Sequence, residues 1–162
     1  MWRKLVDSRR DRRPRPRASR YPKAFKHTVP EISELLPADA GVFEKTLFSM
    51  CTDEVKAHLQ KLGCKSAILC GLETHVCVLQ TTLDLLEMGI DVHICADAVS
   101  SQRHFDRSCA LGRLTAAGAV VSTSESLVFQ LLGNSKHPNF KAIAPFVREN
   151  AEDAKNSELQ RL

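Results

Sequence analysis

Among the residues able to do chemistry in this 162-residue chain, Cys77 has the most informative surroundings. It ends the stretch Gly71-Leu-Glu-Thr-His-Val-Cys77, which follows Ser66-Ala-Ile-Leu-Cys70, an apolar run with the length of a buried parallel strand. Gly71 punctuates that run. From His75 to Glu87 the apolar residues Val76, Leu79, Leu83 and Leu86 recur at the spacing of a helix face, and Thr74 is a suitable N-cap. Cys77 is therefore expected in the first turn of a helix that begins at the carboxyl end of a strand. Backbone N–H groups are unpaired there and the helix dipole is positive, so a thiolate is favoured over a thiol. The same N–H groups would hold the oxyanion formed when that thiolate attacks a carbonyl. The spacing also fits a cysteine that is one more small buried apolar residue.

A second reactive group depends on how the elements before and after Cys77 are arranged. Gly41–Lys45 is a short strand candidate with Val42 and Phe43 apolar and Lys45 at its exit. Thr52–Leu62 reads as an amphipathic helix, with Thr52 as cap and Val55, Leu59 and Leu62 as its stripe. Gly89 stops the helix that carries Cys77. Asp91–Ala96 is a third strand, Arg103–Ala117 a helix ended by Gly118, and Ala119–Ser122 a fourth strand. Helices over Ser124–Leu132 and Lys136–Asn150 follow, the latter interrupted by Pro138 and Pro145. Tyr21–Leu36 reads as a loop with a helical turn near its end.

This alternation predicts a doubly wound, Rossmann-like α/β fold: a parallel sheet flanked by helices in three α/β/α layers, joined by right-handed crossovers. All strand exits then lie on one edge, so Lys45 and Cys77 can face one crevice. A lysine beside the thiol would favour its ionised form and could bind the oxyanion, although Lys45 alone would read as a solvated strand-end lysine. Asp97-Ala-Val-Ser-Ser101 follows the third strand at the usual place for a ligand loop, and Asp97 there either joins the site or caps the next turn. His93 reads as a satisfied strand histidine, since no partner stands at metal spacing.

Composition narrows the class. The hydrophobic and charged fractions, 43% and 26%, are those of an ordinary soluble protein. No apolar run approaches the ~20 residues of a membrane span, and no apolar h-region marks a signal peptide. Six cysteines without paired CxxC spacing suggest neither a zinc ribbon nor a disulfide framework. Cys64, Cys70, Cys95 and Cys109, in or beside apolar runs, are expected as buried free thiols in a reducing compartment, with Cys51 inert. The net charge of +4 is uneven: residues 1–20 hold nine Lys/Arg and two Asp, whereas the remainder holds 14 Lys/Arg and 17 Asp/Glu. That leader, broken by Pro14 and Pro16, is expected to be disordered. The three segments are thus an Arg-rich leader over 1–20, a domain over 21–150 and a polar tail over 151–162. A nucleic-acid role would rest on the leader alone, with no base-reading module beside it.

The stretch ending at Cys77, together with Phe43-Glu-Lys-Thr-Leu-Phe-Ser-Met50 and Asp91-Val-His-Ile-Cys-Ala-Asp-Ala-Val-Ser-Ser101, resembles the isochorismatase-like cysteine hydrolases. Tyr21-Pro-Lys, Thr28-Val-Pro-Glu31, Ser122-Thr-Ser-Glu125 and His137-Pro-Asn-Phe-Lys141 are similar, more narrowly, to the animal isochorismatase domain-containing proteins. The resemblance spans roughly Tyr21 to Asn150. It implies a Cys–Lys–Asp triad with the cysteine at Cys77 and the lysine at Lys45. It further implies a cis peptide between Leu72 and Glu73 that turns the amides of Glu73 and Cys77 into an oxyanion hole. Thr74, His75, Phe48 and Asp97 would line the pocket, with His104 and Phe105 as further candidates. Such enzymes hydrolyse amides, ureido groups or a vinyl ether with no cofactor, and the cysteine types need no metal; the nicotinamidase metal motif has no counterpart here, His27 standing alone.

The resemblance also implies a small-molecule substrate and a homo-oligomer or another protein as partner; no membrane is expected from the apolar runs, and the expected location is cytoplasmic, or mitochondrial where the basic leader serves as a targeting presequence. The family's aspartate belongs at the end of a first strand that precedes the Tyr-Pro segment. Leu5-Val6-Asp7 mimics such a strand end, but Pro14 and Pro16 forbid a helix interior behind it. The expectation is an N-terminally incomplete domain, a shortened isoform or fragment, in which no strand joins the Lys45 strand to the Cys77 strand. Activity would then be impaired, and a catalytically inactive scaffold for protein binding or oligomerisation is the alternative.

Overall fold

Parallel pairing requires every connection to carry the chain back to the same edge, and the helices do this here. The computed structural model describes residues 16–19, 28–34, 36–37 and 40–156. In order, the elements are β1 (Pro16–Ser19), α1 (Pro30–Ser33), β2 (Gly41–Glu44), α2 (Asp53–Leu62), β3 (Ser66–Leu72), a π-helical turn (Thr74–Val78), α3 (Leu79–Glu87), β4 (Asp91–Ser100), α4 (His104–Ala116), β5 (Val120–Ser122), α5 (Ser124–Leu132) and α6 (Phe140–Asn156). The fold is the expected α/β arrangement, a parallel sheet flanked by helices.

The strands form two ladders. β1 pairs in parallel with β2, and β3–β4–β5 form a second parallel ladder. No ladder joins β2 to β3 among the described residues. β1 falls inside the leader expected to be disordered: Pro16 pairs with Gly41 and Ser19 with Glu44. Asp7 and His27 lie outside the described residues. β3 reads as a strand covered on both faces, yet none of its residues is buried and Leu72 is 55% exposed. Its neighbour β4 buries Val92, Ile94, Cys95 and Val99.

Helix ends follow their local chemistry. Thr52 caps α2, its hydroxyl accepting from the Val55 amide at 3.3 Å, and Gly63 ends it in the left-handed region at φ 60°. Val55 and Leu59 are the buried stripe of that helix. Thr123 caps α5 in the same way, accepting from Ser126 N. α6 runs through Pro145 and beyond Asn150, so the expected interruption there and the start of the tail at 151 do not appear as breaks in the helix. Pro145 sits past the first turn of α6, where its missing N–H costs a hydrogen bond without stopping the helix.

The main core joins Phe43, Val55, Leu59, Leu79, Leu85, Val92, Ile94 and Leu114. A smaller cluster of Val128, Leu132 and Ile143 packs α5 on α6. Register slips between β3 and β4, Leu69 facing Ile94 but Gly71 facing Val99. The extra length on β4 is a bulge, and bulged carbonyls need other partners. Arg107, on α4 and 3% exposed, supplies them: its Nε donates to Val99 O at 3.1 Å and its Nη2 donates to Ala96 O.

Candidate active site

Two strand exits build the site. After β3 the chain turns at Gly71, with φ 151°, and Glu73, with φ 59° and ψ 71°. Glycine accepts such a φ without strain, whereas at Glu73 the left-handed geometry costs about 1 kcal/mol. The turn then closes on the Glu73 carbonyl, which accepts from Val76 N at 3.0 Å and Val78 N at 3.3 Å. Cys77 lies in this π-helical turn, half-buried, ahead of the regular α3. The helix expected from His75 thus begins as a wider turn, a form that recurs at functional positions.

Two expectations about this elbow are corrected. The Leu72–Glu73 peptide is trans, as are all the described peptide bonds. The left-handed Glu73 makes the change of direction instead. Thr74 provides no side-chain cap, because Glu73 holds the N-cap position and the Thr74 side chain turns inward. Thr74 is fully buried, and its hydroxyl has no hydrogen-bond partner.

The second exit is that of β2, where Lys45 begins a loop that folds back on itself. Its ammonium donates to Leu47 O at 2.8 Å and Phe48 O at 2.7 Å. The third direction leads to Cys77 Sγ at 3.9 Å. An ammonium carries three donors and no acceptor, so all three have a destination here. The pair predicted from strand-exit logic is therefore in contact across two ladders that, among the described residues, are not paired with each other. Among the described residues, no carboxylate forms an ion pair with Lys45.

The remaining expected residues separate into a rim and an outlier. His75 sits at the mouth, with Nδ1 3.0 Å from Ser101 Oγ and 3.5 Å from Glu73 Oε2, and Nε2 3.9 Å from Asp106 Oδ2. Arg103 Nε donates to the same Asp106 oxygen at 2.6 Å. Phe48 is 61% exposed beside Lys45, and Phe105, next to Asp106, is 77% exposed. His104 is exposed at the start of α4. Asp97 is the outlier: both carboxylate oxygens accept from Ser124, one from its amide at 2.8 Å and one from its hydroxyl at 2.5 Å. It fastens β4 to the start of α5, so it belongs to the fold and not to the pocket.

Several residues that hold the site were not singled out by sequence. Thr81 Oγ1 donates to Cys77 O at 2.6 Å and accepts from Met50 N at 2.9 Å. Ser49 Oγ donates to Asp84 Oδ2 at 2.5 Å and accepts from Cys51 N at 3.0 Å. The one sequence signal for Thr81 was its place one helical turn after Cys77. Nothing in the sequence connected it to Met50.

Three of the other thiols are shifted by their surroundings. Burial raises Cys95 to about 12, with smaller contributions from Cys70 and Asp97. Burial also raises Cys70, and it raises Cys51 against the opposing hydrogen bond from Ser49. Cys95 is buried as expected and Cys51 is buried too, whereas Cys64 is only half-buried and Cys70 and Cys109 are exposed, contrary to expectation. For Cys109 the reason is its place on the outer face of α4, whose buried stripe is Arg107, Ala110, Leu111 and Leu114. His93, expected to be satisfied, has a buried Nδ1 without a partner. Among the described residues there is no metal-competent group of His, Cys, Asp or Glu, and no helix is long and apolar enough to cross a membrane.

A parallel α/β domain with a cysteine at one strand exit and a lysine reaching it from another defines the class. The model of the isochorismatase domain matches residues 6–126, and the chain belongs to that family. It is 48% identical over 136 residues to isochorismatase family protein 1A of Dictyostelium discoideum, covering 82% of this chain and 66% of that protein. It is 44% identical over 135 residues to isochorismatase domain-containing protein 2 of Xenopus laevis, covering 83% of this chain and 64% of that one. Among solved structures, the MAR1 ribonuclease of Caenorhabditis elegans matches with a TM-score of 0.78 and 44% identity, over 88% of this chain and 74% of that chain. The chain thus spans somewhat under two thirds of the length of several curated relatives, and 66% at most of those named here.

Proposed function

We propose that this isochorismatase-family domain carries the acyl-transfer half of a cysteine hydrolase, with Cys77 as nucleophile and Lys45 as the charge that holds it ready. The observation that carries this reading is the 3.9 Å contact between Lys45 Nζ and Cys77 Sγ at the strand exits. An ammonium beside sulfur stabilises negative charge on it, and the first turn of a helix offers amides to an oxyanion. In this reading the amides of Glu73 and Cys77 face the carbonyl oxygen. Cys77 sulfur bonds to the carbonyl carbon of a small amide or ureido compound, the C–N bond breaks, and the amine leaves with the thiol proton. Water then cleaves the thioester, giving the acid and restoring the thiol.

The second step needs a base to activate water. Asp7, which stands nearest to the aspartate that the family resemblance calls for, lies outside the described residues, and no described carboxylate is paired with Lys45. Taking Asp7 as a poor substitute for that base, the reading predicts a chain that acylates faster than it turns over. The exposed rings of Phe48 and Phe105 offer apolar area for a small substrate or for a second copy of the chain.

The test is site-resolved alkylation with iodoacetamide near neutral pH, followed by an amide and ureido substrate panel. Cys77 is expected to label ahead of Cys109, a free and exposed thiol that serves as the internal reference. Substrate is expected to yield a covalent adduct on the Cys77 peptide, absent in Cys77→Ala. Equal labelling of Cys77 and Cys109, with no adduct, refutes the nucleophile. Full turnover lost in Cys77→Ala would show that a base is present after all.

A further inference from the structure

We propose that Thr81 is the positioning residue of the Lys45–Cys77 pair; the proposal rests on the reading of that pair as reactive. The two residues follow strands of different ladders, and among the described residues no sheet pairing joins those ladders. Side-chain hydrogen bonds then hold the lysine loop at contact distance from one helical turn. The Thr81 hydroxyl is the group bonded to both sides. It donates to the carbonyl of Cys77 itself at 2.6 Å and accepts from the amide of Met50, in the lysine loop, at 2.9 Å. It is 4% exposed, so water does not compete for either bond.

The loop is short between its anchors. Lys45 fixes Leu47 and Phe48 through their carbonyls, and the Met50 amide then fixes the far side to Thr81. Ser49 adds a second latch to the same helix through Asp84 at 2.5 Å. With both latches on α3, a shift of the loop would have to break a buried hydrogen bond, and a shift of the Cys77 turn would have to break the other arm of the same hydroxyl. A hydroxyl can donate and accept at once; neither valine nor alanine can do either.

The molecule contains its own control. Thr82, the next residue, donates to Val78 O at 2.8 Å and is fully buried, but no hydrogen bond ties its side chain to the lysine loop. Removing its hydroxyl breaks a bond of the same kind in the same helix. A general loss of helix stability would affect both threonine variants alike. A positioning role is confined to Thr81.

The experiment measures the alkylation rate of Cys77 relative to Cys109 in the intact chain with iodoacetamide, across about pH 6 to 9. Thr81→Val is expected to lower that ratio by about tenfold near pH 7, the scale of one lost charge-supporting contact. Thr81→Ser should restore it to within about twofold, and Thr82→Val should leave it unchanged. In a Lys45→Met background, Thr81→Val should have no additional effect, since the partner it positions is gone. An unchanged ratio in Thr81→Val, with Lys45→Met lowering it, overturns the positioning role while leaving the reactive pair standing. An unchanged ratio in Lys45→Met refutes the pair, and the role of Thr81 falls with it. Should Thr81→Val not fold, Ser49→Ala tests the second latch, and a ratio unaffected there also overturns the proposal.

Discussion

Two strand exits in this domain each hold a cation against two backbone carbonyls, and the two cations are used differently. At the exit of β4, Arg107 is 3% exposed and donates to Val99 O and Ala96 O. At the exit of β2, Lys45 donates to Leu47 O and Phe48 O. Both satisfy carbonyls that a ladder does not reach. The guanidinium is sealed within the bulge of β4, whereas the ammonium retains a third donor directed at Cys77 sulfur. A planar fork suits fixed carbonyls, and a compact ammonium on a long stem suits a charge that must also meet a reacting atom. In the proposed reading, the comparison separates a cation consumed by the fold from one partly left for chemistry.

Removing the sealed cation should have the larger effect. Arg107→Met keeps the aliphatic stem but leaves the carbonyls of Val99 and Ala96 without their donors. The expected loss is about 3 kcal/mol of stability, or ~10 °C in Tm. A thermal melt checks it, and a shift under ~3 °C would mean that water replaces the guanidinium and the bulge is not closed. The Cys77/Cys109 labelling ratio of the folded fraction should not change, because Arg107 donates to β4 and not to the elbow.

Making the two exits alike gives a smaller and more selective effect. In Lys45→Arg the charge remains and a fork can still reach the loop carbonyls, so the melting temperature should move little. The guanidinium cannot present a point charge to sulfur while held by two carbonyls. Cys77 alkylation relative to Cys109 should fall about tenfold, the order of one charge–thiolate contact. Retained reactivity would show that any nearby cation suffices and that the three-way geometry of Lys45 is incidental.

How much of this was legible in the sequence follows from the range of the signals. Periodicity gave the helix over Ser124–Leu132 to the residue and the strand over Gly41–Glu44 to within one, because an apolar stripe and a terminal glycine or threonine are local. It placed Lys45 and Cys77 on one edge because parallel topology leaves no alternative. The left-handed Glu73 and the π-helical turn were not readable, since each depends on how β3 hands over to α3 and has no composition of its own. Asp97 stayed open for a related reason: a carboxylate at a strand exit suits a pocket or a cap, and the partner that takes both its oxygens, Ser124, is 27 positions away. Arg107 was invisible because a buried arginine is written in the sequence like an exposed one. The bulge that recruits it is a property of the β3–β4 register.

The same contrast between sealed and exposed groups extends to the thiols, where the expected effect is smallest. Cys95 lies on β4 with no exposed surface, and burial pushes its thiol up to about 12. In the unfolded chain a cysteine ionises near the ordinary value of 9.0. Below that pH both states hold the proton, and the preference of the fold for the protonated thiol is fully present. As pH rises from 9.0 toward 12 the unfolded chain releases the proton while the native chain keeps it, so stability falls. Cys95→Ala removes this dependence at the cost of a small cavity. Urea midpoints should therefore drop less between about pH 8 and about pH 9.7 in the variant than in the parent, by about 1 kcal/mol in unfolding free energy. Parallel declines in the two proteins would mean that water reaches Cys95 in the native state, and that β4 is not the closed strand with which β3 has been contrasted.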